Sequence, residues 1–302
     1  MSANSTAILL VAHGTVQNLD DLGAFVARIR HGRPPPAGLV EELRRRYEAI
    51  GGSPLLRVTE EQAHALEQKT GLPVLLGMRL WDPSVESAFR LAAERGLRRL
   101  ALVPLAPFSV DVYAAAARRS LEAVRPELGE RTPELVACQA WGTEPAFVEA
   151  QRAALAESLQ RSAADAIVLT AHSLPSAAIR AGDRYQAEVE ASVRAISSAL
   201  GRPCELAYQS QGADGGEWLG PGLRQTFERL HASGARSITL SPVGFLADHV
   251  ETLYDLDIEA KVWAGEIGLS LTRVPALNTA NGLISALSTV ALRALDGPSA
   301  EA

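Results

Sequence analysis

Residues 7–14 read AILLVAHG and residues 166–173 read AIVLTAHS, so one chain carries nearly the same phrase twice. Each is an apolar run of strand length that stops at a histidine, His13 in the first copy and His172 in the second. Runs of this kind, apolar on successive residues and too short for a helix, suit strands of a parallel sheet covered on both faces. A second pair of phrases comes next in the same order. GLRRLALVPL (96–105) and GARSITLSPV (234–243) share glycine, arginine, alternating apolar residues and proline at equal offsets. Two matched landmarks in one order predict a duplicated α/β unit; the alternative is that buried parallel strands simply look alike.

Further strand-length runs fall at 74–78, 100–104 and 135–138, and at 205–209, 238–243 and 269–274, with helix-length amphipathic stretches between them. Leu39, Leu43, Tyr47 and Ile50 form one such apolar stripe. At 302 residues the chain is long for a single core. The expected fold class is α/β, with two similar doubly wound parallel-sheet, Rossmann-like domains facing a central cleft. The expected boundaries are 1–142 and 143–286, joined near 141–145, with a last segment of about 287–302 packing back on the first domain. In open parallel sheets ligands bind beyond the carboxyl ends of the strands. Both histidines stand there, so facing domains would close a cleft with His13 on one wall and His172 on the other. A strand-end histidine also serves as a plain structural residue, and two at equivalent places weigh against that reading.

The net charge of -6 argues against nucleic acid or an anionic membrane as a general partner. No apolar stretch approaches the roughly 20 residues of a membrane span. The first residues lack the basic start of a signal peptide, so none is expected. Cys138 and Cys204 are the two cysteines. Two lone thiols far apart make neither an iron–sulfur cluster nor a structural zinc site, and a reducing cytoplasm is the expected location.

The stretch FLADHVETLYDLDIEAKV (245–262), read as a helix, places Asp248, Glu251, Asp255 and Glu259 at spacings of three, four and four, as one stripe. A solvated acidic face is the ordinary meaning of such a run. This one comes directly after a strand end, where carboxylates can hold a divalent cation or relay protons. Basic residues cluster at Arg28, Arg30, Arg33, Arg44, Arg45 and Arg46, a cationic island suited to an anionic small molecule. Arg30 and Arg46 are the candidates retained, and Gly51 and Gly52 before Ser53 predict a tight turn. No phosphate-cradling glycine motif comes after a strand. Imidazoles, carboxylates and arginines together fit placing a metal into an organic acid better than hydride or acyl transfer.

The phrases TAHSLP, GDRY, AYQSQG, WLGP, PVGFLADHVETLYDLDIEAK and RVPALN resemble the ferrochelatases over nearly the whole chain. IRHGRPPP with the later LRRRYEAIGGSPLLRVTEEQAHALEQ is similar to the soluble coproporphyrin ferrochelatases in particular. The resemblance implies that His172 and Glu251 are the facing metal-insertion pair. It implies that Asp255 and Glu259 continue an acidic line, with a local π-type widening of the helix re-aiming the carboxylates. It implies that Arg30, Arg46, Tyr47, Ser53 and Tyr113 contact the porphyrin and its propionates. In the soluble subgroup tyrosine commonly stands where this chain has His13, a possible axial ligand to product iron. Histidine there looks more like the small sirohydrochlorin-type chelatases, which bears on metal preference and product release.

The resemblance therefore implies insertion of Fe²⁺ into coproporphyrin III in haem biosynthesis. Iron is a substrate on this reading, with no permanently bound cofactor and no iron–sulfur cluster. The expected partners are a porphyrin and haem-pathway enzymes, without nucleic acid and without membrane insertion. The alternatives are insertion into protoporphyrin IX, cobalt or nickel insertion into sirohydrochlorin, and a haem- or metal-binding protein without turnover.

Overall fold

A computed structural model describes residues 5–212 and 216–297. β1 (Thr6–Ala12), β2 (Val74–Met78), β3 (Arg99–Pro104) and β4 (Glu134–Ala137) form one sheet in the order β2-β1-β3-β4. β5 (Ala166–His172), β6 (Glu205–Gln209), β7 (Ser237–Ser241) and β8 (Ser270–Arg273) form a second in the order β6-β5-β7-β8. Every pairing is parallel, and the two orders correspond strand for strand. The two histidine-ended phrases thus occupy the same inner position of each sheet, and the two glycine-led phrases occupy its neighbour. Both sheets are buried along these runs, from Ala7 to Ala12 in β1 and from Ile167 to Ala171 in β5, where Thr170 is the one polar residue.

In the first sheet's unit the helices are α1 (Leu22–Ile29), α3 (Leu55–Thr70), α4 (Val85–Glu94), α5 (Val110–Leu128) and α12 (Asn281–Asp296). Ser84 starts α4 by accepting the amide of Ser87 at 3.2 Å. The core packs Phe89, Ala92 and Leu121 of these helices on Leu9, Leu100 and Leu102 of the sheet. In the second unit the helices are α2 (Leu39–Ala49), α6 (Pro145–Arg161), α7 (Ser176–Arg180), α8 (Tyr185–Leu200), α9 (Leu223–Ala232), α10 (Val250–Leu253) and α11 (Ala260–Glu266). A π turn at Asp255–Glu259 separates the last two. Phe227, Leu256 and Ala260 pack there on Val168 and Leu240, so the π turn is anchored to its sheet through Leu256.

The unit boundaries depart from the sequence expectation in two places. The first unit takes the chain up to Pro35, Pro54–Trp141 and the chain from Thr279; the second takes Pro36–Ser53 and Gly142–Asn278. Residues 36–53 therefore leave the expected 1–142 block. The physical reason is an ion pair: Arg46 of α2 reaches Asp255 of the π turn at 3.0 Å and lies over the Tyr254 ring at 4.9 Å. The C-terminal return begins at Thr279 rather than near 287, and α12 packs on α3, β3 and β4. Residues 298–302 of that expected segment lie outside the described residues.

Close backbone approach also has its glycine. A Cβ on Gly244, just past β7, would stand 2.9 Å from the Cα of Ala171, the residue before His172. Gly265, inside α11, has nothing within 4 Å of that position. Gly244→Ala should lower unfolding free energy by about 1–3 kcal/mol through overpacking. Gly265→Ala should raise it by about 0.5–1 kcal/mol, the helical gain of alanine over glycine. Urea unfolding of the two variants beside the parent checks both signs.

Candidate functional site

Strand β5 delivers His172 at its last residue, and its carbonyl accepts the Tyr185 hydroxyl at 2.8 Å. Strand β6 ends on Gln209, whose Nε2 donates to the Glu251 carbonyl at 2.7 Å. That bond fixes the first turn of α10 against the strand ends. The chain is extended through His249 and turns helical at Val250, where the His249 amide donates to Thr252 Oγ1 at 3.0 Å. Glu251 consequently stands beside β5, with Oε2 at 2.8 Å from His172 Nδ1.

One step along, Asp255 is 7% exposed and is held from two sides. Arg46 Nη1 donates to its Oδ1 at 3.0 Å, and the Ser210 hydroxyl donates to its Oδ2 at 2.6 Å. Ser210 has φ +58, a left-handed conformation that costs a non-glycine residue and directs its hydroxyl to Asp255. The expected π-type widening is present: the Glu259 amide donates to the Tyr254 carbonyl at 3.0 Å, and the Ala260 amide to that of Asp255. Glu259 is partly exposed, close enough for its charge to act on Asp255.

The electrostatics arise from this crowding. Burial lifts the Asp255 carboxyl, the Glu251 charge lifts it further, and Glu259 adds to that. The Ser210 bond and the Arg46 charge pull the other way, leaving a value of about 7. At His172 burial opposes a charged ring. The Glu251 carboxylate, by charge and hydrogen bond, and then Asp255 outweigh it, so the imidazole holds its proton above the ordinary histidine range.

Asp248 does not belong to the expected stripe. It precedes the helix, where its carboxylate accepts from Arg273, Thr252 and Asn278. The sequence pattern extended the helix one turn too far, because a carboxylate ahead of a helix can satisfy polar groups that spacing alone does not reveal. Among the described residues, no group of three or more His, Cys, Asp or Glu side chains converges to hold a metal ion. The Asp255 oxygens are engaged by Arg46 and Ser210 instead.

Of the other expected residues, Tyr47 lies buried on α2, 3% exposed. Ser53 comes after Gly51 and Gly52, whose φ values of +72 and +92 make the expected tight turn. Arg30 donates through Nε to the Pro34 carbonyl at 3.1 Å. In the first unit His13 is exposed just past β1, with Nδ1 at 3.5 Å from the buried Tyr113 hydroxyl. Arg79 lies over the Tyr113 ring at 5.3 Å, Phe25 meets His13 edge-on, and Arg28 covers Trp81 at 4.3 Å. Trp218 is a packing anchor on Gly212, where a Cβ would lie 2.6 Å from its ring.

Sequence reasoning passed over His249, whose Nε2 lies 4.0 Å from Glu251 Oε1 while Nδ1 meets the Ala247 carbonyl at 3.0 Å. It also passed over Ser210 and Arg79. Arg79 stands directly after β2, so the strand-end rule applied to His13 would have found it.

A family model described as ferrochelatase matches residues 5–295. The ferrochelatase of Acidobacterium capsulatum is 32% identical, over 96% of this chain and 94% of that one. The coproporphyrin III ferrochelatase of Geobacillus kaustophilus is 35% identical over 97% of each. Among solved structures, the sirohydrochlorin chelatase SirB of Bacillus subtilis subspecies spizizenii in complex with cobalt has a TM-score of 0.57 over 97% of each chain. Its identity is 12%, so that likeness is one of fold. No helix among the described residues is long and apolar enough to cross a membrane. By the family model and by identity to these relatives over almost its full length, the chain belongs to the ferrochelatase family, enzymes that insert a metal ion into a porphyrin.

Proposed function

We propose that this chain inserts Fe²⁺ into coproporphyrin III, giving the iron porphyrin and releasing the two pyrrole protons. The observation that carries the reading is the 2.8 Å pair of His172 and Glu251 at the carboxyl ends of β5 and β6, with the protonatable Asp255 one helical step away. Glu251 accepts the Nδ1 proton of His172, which leaves the Nε2 lone pair to take a pyrrole proton and stabilises the imidazolium that forms. Asp255 and Glu259 then carry protons or metal along the turn. Iron enters as substrate, and the reading assigns no resident cofactor and no iron–sulfur cluster.

The choice of macrocycle rests on the relatives named coproporphyrin III ferrochelatases at 34% and 35% identity, and on the basic residues of the 28–46 region. Arg30 and Arg46 pair with propionates on this reading, Tyr47, Ser53 and Tyr113 line the ligand, and Arg46 exchanges Asp255 for a substrate carboxylate. His13 would be a ligand to the iron of the product on this reading. The reaction is placed in the cytoplasm, with other haem-pathway enzymes supplying and taking the porphyrin. A second reading, cobalt insertion into sirohydrochlorin, draws on His13 and on the shared chelatase fold.

Anaerobic absorbance spectroscopy separates these readings. Fe²⁺ with coproporphyrin III should give catalytic loss of the free-porphyrin bands, faster than with protoporphyrin IX and faster than Co²⁺ with sirohydrochlorin. A stoichiometric shift without turnover on any macrocycle would replace the enzyme by a binding protein. Arg30→Ala should weaken coproporphyrin affinity about tenfold, the loss of one charged hydrogen bond; unchanged affinity removes the propionate clamp.

His172→Ala should lower kcat by about 10²–10⁴-fold, the range of a general base, with porphyrin affinity retained. Glu251→Gln should slow insertion with the fold intact. Full activity in either variant takes that residue out of the reaction. The pH dependence has a definite sign. Asp255 must ionise and His172 must lose its proton to accept another, so the rate should rise with pH, with the Asp255 limb at about 7 and the His172 limb above the ordinary histidine range. In Asp255→Asn only the His172 limb should remain, giving a shallower rise; an unchanged profile would show that the Asp255 proton is not used.

A further inference from the structure

Arg273 ends β8 with a side chain only 9% exposed, and both ends of its guanidinium are engaged. Nη1 donates to Asp248 Oδ1 at 2.7 Å, and Nη2 meets Asp257 Oδ2 at 2.6 Å. Asp248 lies ahead of α10, tied there by the Thr252 hydroxyl at 3.0 Å and by a two-way bond with Asn278. Asp257 lies inside the π turn, where Lys261 Nζ also reaches it at 3.2 Å. One cation therefore joins the chain before the helix to the turn in which the helix widens. Asp255, two residues from Asp257, is held by Arg46 and Ser210.

Helix geometry says why such a tie matters. Four α-helical residues overrun a full turn by about 40°, so carboxylates at 251, 255 and 259 would drift by about 80° around a regular helix. A wider i→i+5 turn underruns instead and brings Glu259 back toward the line of Glu251. π turns are rare, because the regular helix is the favoured winding, so the widening needs an outside contact to hold it.

We propose that Arg273 is a positioning residue for metal delivery: its two-armed bond to Asp248 and Asp257 keeps the π turn wound, and the turn keeps Asp255 and Glu259 aligned with Glu251. The inference rests on the metal-insertion reading of that acidic line. Lysine keeps the charge but lacks the planar fork that serves two carboxylates at once.

Two variants test it, Arg273→Lys and Asp257→Asn, the second retaining the Asp248 arm. With Fe²⁺ and coproporphyrin III, the KM for the metal should rise about tenfold in Arg273→Lys, as for other residues that orient metal-handling groups, and the porphyrin KM should stay unchanged. Asp257→Asn should shift the metal KM in the same direction by less. A metal KM equal to the parent's overturns the proposal even where kcat falls, since a loss of folded enzyme lowers kcat alone. Should Arg273→Lys fail to fold, Asp257→Asn decides. Amide hydrogen exchange tests the same tie without turnover. The Glu259 and Ala260 amides, which close the π bonds, should exchange faster in Asp257→Asn, and unchanged protection overturns the proposal. A parent enzyme that metalates nothing while these amides respond as expected would refute the function and leave the mechanical role of Arg273 standing.

Discussion

Four residues overrun a turn of an α-helix by about 40°, so a line of carboxylates spaced by four cannot stay straight without a local change of winding. The second unit meets that constraint with a π turn at Asp255–Glu259, and much of its polar structure is arranged around it. Leu256 sinks the turn into the apolar core, so its position relative to the sheet is set by packing. Arg46 and Arg273 then grip Asp255 and Asp257 separately. Gln209, at the end of β6, holds the carbonyl of Glu251. The acidic helix is thereby registered against the strand end that carries His172.

The crowding sets the chemistry as well as the geometry. Burial and the nearby Glu251 charge bring the Asp255 carboxyl to about 7, even though a guanidinium and a hydroxyl touch it. The same Glu251 charge raises His172 against its own burial. Both groups therefore bind a proton more readily than their free counterparts, and both shifts depend on the one Glu251 carboxylate between them.

The duplicated fold supplies two strand-end histidines and then treats them differently. His172 meets a carboxylate, which favours the protonated ring, whereas His13 meets the phenol of Tyr113 in an exposed position. The difference lies in the helix that succeeds the third strand of each sheet: an acidic one after β7, and the long α5 carrying Tyr113 after β3.

The strands were legible because burial on both faces writes itself as a continuous apolar run. The expected runs match all eight strands to within a few residues. The 2.8 Å contact of His172 with Glu251 was readable through the family phrases alone, since spacing gathered the carboxylates but named no partner for the histidine. Asp248 was misread because periodicity does not mark the residue at which the helix begins. The assignment of residues 36–53 failed because Arg46 and Asp255 are separated by 209 positions, and a long-range ion pair leaves no local pattern. By itself, then, the sequence determined the duplicated α/β plan, the strand ends and the residue types gathered there, since these derive from short-range periodicity and hydrophobic burial. Tertiary structure alone decided which arginine meets which aspartate, that α2 joins the second unit, and how far Asp255 is shifted. Those depend on charges brought together in a buried place by packing, which no spacing along the chain encodes.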